Sequence, residues 1–281
     1  MTQIKRIAVL IACHNRKNIT LACLDALFKN QLPVDHFLKV FLVDDGSTDG
    51  TGEAVRKQYP QVNIIEGNGD LFWNRSMHVA FSMALNEGYD YYVWLNDDTL
   101  IDPMAISIML QTNSHETINN RIIVGAISDP ETGKFAYGGA RQLAPLFRPF
   151  LCEYVFPNGY PQYLDVMNGN LVLIPDFVAR KLENIDPVFE HAMGDTDYAM
   201  RARKLGVIIL LTPDYIGSCE RNKEAGSYRD KSLSVKRRFK DILSRKGLPW
   251  RSWLAMCWRH GGLLWPVHFL WGYVKVILGR D

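Results

Sequence analysis

The segment Tyr91–Pro103, YYVWLNDDTLIDP, holds the decision about the fold: five apolar or aromatic residues stop abruptly at Asn96, Asp97 and Asp98. A short unbroken apolar run between polar boundaries reads as a strand covered on both faces, as in parallel sheets. The polar residues after it are harder to place. Thr99 or Asp102 could cap a helix opening near Pro103, where a missing N–H does least harm, and this leaves the two adjacent carboxylates without a structural task. Like charges at a strand end are favoured most by a bound cation. Magnesium and manganese take oxygen ligands and bridge protein carboxylates to phosphates, so the stretch predicts a metal and diphosphate site, with a solvated loop as the bland alternative.

Outward from this segment the same unit recurs. RIAVLIA leads through CHNRKN to the helical pattern ITLACLDALFKN, KVFLVDDG precedes STDGTGEAVRKQY, VNIIEG precedes RSMHVAFSMALNEG, and YYVWLNDD precedes PMAISIMLQTN. Alternating strands and helices predict an α/β protein with a mostly parallel central sheet flanked by helices. In such sheets the loops at the carboxyl ends of the strands form the ligand crevice. CHN, DDGSTD, GNGDLFW and NDDT all fall on that rim. DDGSTDG also suits a plain strand-to-helix turn, with Ser47, Thr48 or Asp49 as cap.

The second half is less regular. KFAYGGARQL and RPFLCEYVFPNGYPQYLDVMNGNLVLIP read as a hairpin and loops over the crevice, ending in a strand. A helix from about Phe177 to Leu182, another within FEHAMGDTDYAMRARKLG and a last strand, VIILLT, complete the domain.

Composition narrows the class. The 281 residues are 47% hydrophobic and 22% charged, enough for a large globular core. A net charge of +2 gives no electrostatic case for nucleic acid. Cys13, Cys23, Cys152, Cys219 and Cys257 are scattered without CxxC pairs, which excludes a disulfide framework or thiolate zinc and points to a reducing compartment. The first apolar run enters the first strand rather than a cleavage site, so a cytoplasmic location is expected.

VLIACHNR, FLVDDGSTDGT, WLNDDT and MGDTDYAMRARKLG, in this order over roughly residues 4 to 220, resemble family 2 glycosyltransferases of the Rossmann-like GT-A fold. GNGDLFWNRSMHVAFSMAL further resembles the rhamnosyltransferase-like members. The resemblance implies inverting transfer of a sugar from a dTDP- or UDP-sugar to a saccharide or lipid-linked acceptor, in bacterial cell-surface polysaccharide synthesis. It also implies residue roles. Ala12, His14, Asn15 and Arg16 would hold the nucleoside, with Asp44 or Asp45 accepting from the pyrimidine. Asp98, with Asp97 or Asn96 beside it, would match the metal-binding Asp-x-Asp motif and hold Mg or Mn. Met167 to Asn170, with Asn168, Gly169 and Asn170, would line the donor-sugar pocket. Asp195 matches the catalytic aspartate of the family's Glu-Asp motif, with Gly194 in place of the glutamate.

The histidine that completes the metal site in many relatives is missing, and Cys219 or Glu220 stands in its stretch. Arg75 offers a guanidinium fork for a diphosphate or acceptor, or is a solvated helix-start arginine. Phe72 and Trp73 offer flat faces to a sugar, or belong to the core. Asp195 and Asp197, two residues apart on a helix at about 100° per residue, face nearly opposite sides, so at most one meets the crevice. Two other classes share parts of this pattern: a nucleotidyltransferase, although ACHNRKN lacks its glycines, and a non-catalytic sugar-nucleotide-binding protein.

Residues 221–281 form a separate basic and Trp-rich helical tail. Of seven tryptophans in the chain, Trp250, Trp253, Trp258, Trp265 and Trp271 fall here, after the basic stretch RDKSLSVKRRFKDILSRK. The apolar part is shorter than the ~20 residues of a spanning helix. The tail is expected to lie on an anionic membrane surface, placing the protein on the inner face of the membrane. The alternative is a helical pair packed on the domain or forming a homodimer.

Overall fold

The computed structural model describes residues 4–114, 120–221 and 225–279. The first half runs β1 (Lys5–Cys13), α1 (Lys17–Phe28), β2 (His36–Asp44), α2 (Thr51–Gln58), β3 (Asn63–Glu66), α3 (Phe72–Glu87), β4 (Tyr91–Leu95), β5 (Leu100–Ile101), α4 (Ala105–Ser114) and β6 (Arg121–Ser128). Then come the short strands β7 (Phe135–Tyr137), β8 (Gly139–Ala144), β9 (Arg148–Val155), β10 (Gln162–Tyr163), β11 (Val166–Met167) and β12 (Leu171–Pro175). The chain continues through α5 (Asp176–Leu182), α6 (Gly194–Lys204) and β13 (Ile208–Ser218) to α7 (Val235–Ile242), α8 (Trp250–His260) and α9 (Trp265–Ile277).

The main sheet has the order β10-β13-β6-β12-β4-β1-β2-β3, and β11-β8-β9 form a second, three-stranded sheet. β1, β2, β3 and β4 are mutually parallel, as the repeated strand–helix unit predicts. β12 enters antiparallel between β4 and β6. Alternation along β1 explains the two layers: Ala8, Leu10 and Ala12 meet Met77, Ala80 and Phe81 of α3 on one face, while Ile7, Val9 and Ile11 meet Leu24 and Leu27 of α1 on the other.

Two local expectations change. The helix after the acidic pair starts at Ala105, not Pro103, and its cap is Asn30, whose Oδ1 accepts from the Ile106 N–H at 3.3 Å, rather than Thr99 or Asp102. The single strand expected in LDVMNGNLVLIP is broken at residues 168–170 into β11 and β12.

The tail packs on the domain as helices. Trp253, Met256 and Cys257 of α8 are buried against Phe189 and Met200, each contributing roughly the 1.5–3 kcal/mol of a buried apolar side chain. Beside them lies a buried charge. Asp197 of α6 is fully enclosed and accepts from Arg201 Nε at 2.8 Å, Arg259 Nη1 at 3.2 Å and His260 Nε2 at 2.9 Å. Two of these three partners belong to α8.

Burial alone would raise the Asp197 carboxyl, but the His260 hydrogen bond and the two guanidinium groups hold it below its ordinary value of 3.8. Removing one member of a buried ion network costs about 3–5 kcal/mol, and Asp197→Asn is expected to lose about that much in urea unfolding at pH 7. A depressed carboxylate contributes fully above its unfolded pKa and less as pH falls through the folded one. The difference between wild type and variant should therefore shrink as the pH falls below 3.8; a difference that is constant with pH would count against the ion network.

Candidate active site

The four polar loops meet on one rim, and they bind each other before they bind anything else. Asp45 is buried, and its carboxylate accepts three backbone N–H groups of the loop leading into α3: Gly69 at 2.8 Å, Leu71 at 3.0 Å and Phe72 at 2.9 Å. Phe72 sits at φ 59°, a conformation costly for a bulky residue, and the Asp45 carboxylate holds it there. Asp44 accepts from the Ser47 N–H at 3.1 Å. Asp49 accepts from the N–H groups of Lys17 and Thr51, each at 3.0 Å, so one carboxylate caps the starts of both α1 and α2.

Asn15, at φ 51°, joins the first loop to the second: its N–H donates to Ser47 Oγ at 2.9 Å and its Oδ1 accepts from Thr48 N at 2.7 Å. His14 Nδ1 donates to the Asp45 carbonyl at 2.5 Å.

The pinned loops enclose a crevice of about 270 Å³ lined by Ala12, His14, Arg16, Asp45, Phe72, Trp73, Asp97 and His191, among others. Of the residues implied for the nucleoside, Ala12, His14, Arg16 and Asp45 meet here, whereas Asp44 is turned to its own loop. Burial and the neighbouring Asp98 raise the Asp97 carboxyl to about 6, against Arg16 and a hydrogen bond from Thr20. Burial, with Lys246 and Arg16 nearby, lowers His191 to about 4, so its ring is neutral at pH 7. Lys246 lies far along the chain from the four loops, and its pattern alone gave no sign of this meeting.

The metal motif is occupied by protein contacts. Arg16 Nη1 bridges Asp97 Oδ1 at 3.0 Å and Asp98 Oδ2 at 2.8 Å, and the Cys219 thiol reaches Asp98 Oδ1 at 3.5 Å. Asn96 Oδ1 accepts from the Trp73 indole at 2.6 Å. Glu220 is exposed, with its backbone carbonyl facing the Tyr137 hydroxyl at 3.4 Å. Among the described residues no three His, Cys, Asp or Glu side chains are placed to share a metal. Burial and Asp98 push the Cys219 thiol up to about 12, and a protonated thiol is a poor ligand for a hard cation. The groups here whose chemistry suits Mg or Mn are the carboxylate oxygens of Asp98, to which phosphate oxygens and water could be added.

On the sugar side, Asp195 Oδ2 accepts from the Gly169 N–H at 2.9 Å and its Oδ1 from the Thr196 N–H at 2.7 Å. Burial raises this carboxyl while those N–H groups oppose the rise. A side chain at Gly194 would overlap the Asn74 side-chain oxygen; the close approach of α6 to α3 is why no glutamate stands there. Asn168 and Asn170 flank Gly169, with the Asn170 side chain turned toward Cys219 at 3.9 Å. Arg75 is drawn away: it donates to the Pro187 carbonyl at 3.0 Å and meets Glu190 at 3.5 Å.

A mostly parallel sheet with acidic loops at its carboxyl edge, and an aspartate at the start of α6 bonded to a glycine loop, together make a GT-A type of protein. The family model described as Glycosyl transferase family 2 matches residues 8–174, and the chain belongs to that family. It is 28% identical over 120 residues to the poly-beta-1,6-N-acetyl-D-glucosamine synthase of Staphylococcus aureus, a match spanning 41% of this chain and 27% of the synthase. It is 24% identical over 206 residues to the N-acetylglucosaminyl-diphospho-decaprenol L-rhamnosyltransferase of Mycobacterium tuberculosis, covering 65% of this chain and 66% of that one. The fold is similar to that of a Pyrobaculum calidifontis mannosyltransferase solved with GDP-Man and Mn2+, with a TM-score of 0.59 at 16% identity over 99% of this chain and 74% of the other.

The loop-pinning role of Asp45 has a direct readout. Asp45→Ala should release the N–H groups of Gly69, Leu71 and Phe72, and with charged hydrogen bonds worth about 1.5–3 kcal/mol each their amide exchange should accelerate at least tenfold. Unchanged exchange at all three would show that the loop holds itself.

Proposed function

We propose that the protein is an inverting glycosyltransferase that moves a sugar from a nucleotide diphosphate, a dTDP- or UDP-sugar, to a saccharide or lipid-linked acceptor in cell-surface polysaccharide synthesis. The observation that carries this reading is what surrounds Asp195. Its carboxylate accepts from the Gly169 N–H, and Gly169 lies against the ring of Trp73, which lines the crevice. Its chain neighbour Thr196, with Asn168, lines a second cavity of about 410 Å³ walled by Phe150, Val166, Met200, Trp253 and Met256. Donor and acceptor would meet at this carboxylate, and the apolar walls favour an acceptor with an apolar part.

The chemistry is set by that position. The acceptor hydroxyl oxygen forms a bond to the anomeric carbon, the bond from that carbon to the diphosphate breaks, and the hydroxyl proton passes to the Asp195 carboxylate. A carboxyl raised by burial is better suited to take this proton than an ordinary one. A divalent cation held by Asp98 would neutralise charge on the departing diphosphate; the mannosyltransferase of similar fold carries Mn2+ with its donor.

The tail supports a place on a membrane surface. No helix among the described residues is long and apolar enough to cross a membrane. Yet α8, α9 and the turn between them leave Trp258, Leu263, Val267, Leu270, Trp271 and Ile277 exposed, Leu263 at 99%. Exposed aromatic and aliphatic side chains on one helical pair, beside the basic residues Lys236, Arg237 and Lys240 of α7, suit an anionic lipid interface.

Two measurements test the reading. Asparagine keeps one of the two hydrogen bonds that Asp195 accepts and removes its basicity, so Asp195→Asn should retain donor-induced thermal stabilisation while transfer falls by roughly a hundredfold or more; near wild-type transfer would place the base elsewhere. Flotation with phosphatidylglycerol vesicles should carry the wild type upward and leave most of a Leu270→Glu, Trp271→Ala double variant behind. Equally poor flotation of both would remove the membrane from the account.

A further inference from the structure

The loop between α7 and α8 reaches the crevice, and it is held rigidly. The Leu248 N–H donates to the Ile242 carbonyl at 2.5 Å and the Gly247 N–H to the Ser244 carbonyl at 2.9 Å. A side chain at Gly247 would overlap the Ile242 carbonyl oxygen, so only glycine fits this turn. From α9 the Tyr273 hydroxyl donates to the Leu248 carbonyl at 2.9 Å. On the crevice side Arg245 pairs through Nε with Glu190 Oε2 at 2.7 Å, grips both oxygens of Asp70, and lies 4.6 Å over the Phe72 ring. Arg245 thus clasps the loop that Asp45 pins from below.

Between Arg245 and Gly247 stands Lys246, which lines the crevice together with Arg16, Gly69, Asp97 and His191. Among the described residues its ammonium is in no ion pair. The charge of the crevice makes this position useful. Asp97 and Asp98 face a single guanidinium, Arg16, and two carboxylates against one cation would repel an anionic ligand. Lys246 adds a second cation to that wall, which Asp45 also lines, as a strongly hydrated point charge on a flexible stem, the kind of group that binds phosphate oxygens without a fixed geometry.

We propose that Lys246 binds the diphosphate of the nucleotide donor, so that the C-terminal extension supplies part of the donor site. The assignment rests on the proposed donor and adds a residue outside the matched family segment, residues 8–174. The clasp made by Arg245 sets the loop, and Lys246 makes the contact.

The test separates phosphate from nucleoside. Titration calorimetry of the full chain with UDP, dTDP and GDP, and with the matching nucleosides, identifies which diphosphate the wild type binds. Lys246→Ala should weaken that diphosphate about tenfold, the equivalent of one charge-assisted contact, flatten the dependence of affinity on salt, and leave the nucleoside unchanged. Lys246→Arg should restore most of the loss. Diphosphate binding by Lys246→Ala equal to wild type overturns the inference while leaving the donor reading intact. Equal weakening of diphosphate and nucleoside also overturns it, since that is what a displaced loop would do. A wild type that binds no nucleoside diphosphate, with or without Mn2+, removes the donor reading itself.

Discussion

The structure depends on a carboxylate that cannot stand alone. Asp197 is enclosed by protein on every side, and a bare charge in that position would cost several kcal/mol. Arg201, one turn further along α6, neutralises it in part, while the remaining hydrogen bonds come from Arg259 and His260 of α8. Arg259 also pairs with Asp186 on the segment after α5. The C-terminal helices are therefore part of the electrostatic closure of the domain. With them in place the start of α6 is fixed, and with it Asp195, whose carboxylate accepts from the Gly169 N–H.

The same division between acids that build and acids that face the crevice runs through the rim. Asp44, Asp45 and Asp49 point their oxygens at backbone N–H groups, which fixes the loops at the strand ends. Asp97 and Asp98 are balanced instead by the half-exposed Arg16. Of four non-glycine residues with positive φ among the described residues, Asn15 and Phe72 fall in the same region, while Glu183 and Met193 stand at the ends of α5 and α6. Asn15 and Phe72 mark points where the chain turns more sharply than their side chains favour, and each is held by a neighbouring loop. Such strain persists where the surroundings over-determine it, as they do here.

Much of this was legible in the sequence because the strands are short, apolar and each followed by a helical period. The four parallel strands and the polar rim could be read from that alternation. The direction of β12 was not legible, because a run buried on both faces looks the same in either orientation. The helical angle between Asp195 and Asp197 separated their sides correctly, since 100° per residue holds for any helix. Gly194 misled: as a pattern it is a missing glutamate, and only the contact with Asn74, far earlier in the chain, shows that a glycine is required. Arg245 and Lys246 were hidden for the same reason, as a basic run in an amphipathic tail carries no mark of the loop it will clasp.

The tail also shows why apolar count alone does not separate docking from membrane contact. On α8, Trp253, Met256, Cys257 and His260 recur at helical spacing and are buried, while Trp250 and Trp258 on the same helix stay exposed. On α9, Gly272 and Val276 turn inward, the former close against the Trp253 ring, and Val267, Leu270, Trp271 and Val274 turn outward. The sequence offered the two fates as alternatives, but a helix wide enough in apolar residues has two faces to cover. Packing on the domain uses one of them, satisfies the Trp253 indole through the Phe269 carbonyl at 3.0 Å, and leaves the second in water. A second apolar face is costly in water and would be favourable at a lipid surface, so docking on the domain and contact with a membrane are not exclusive fates for these helices: each would use a different face.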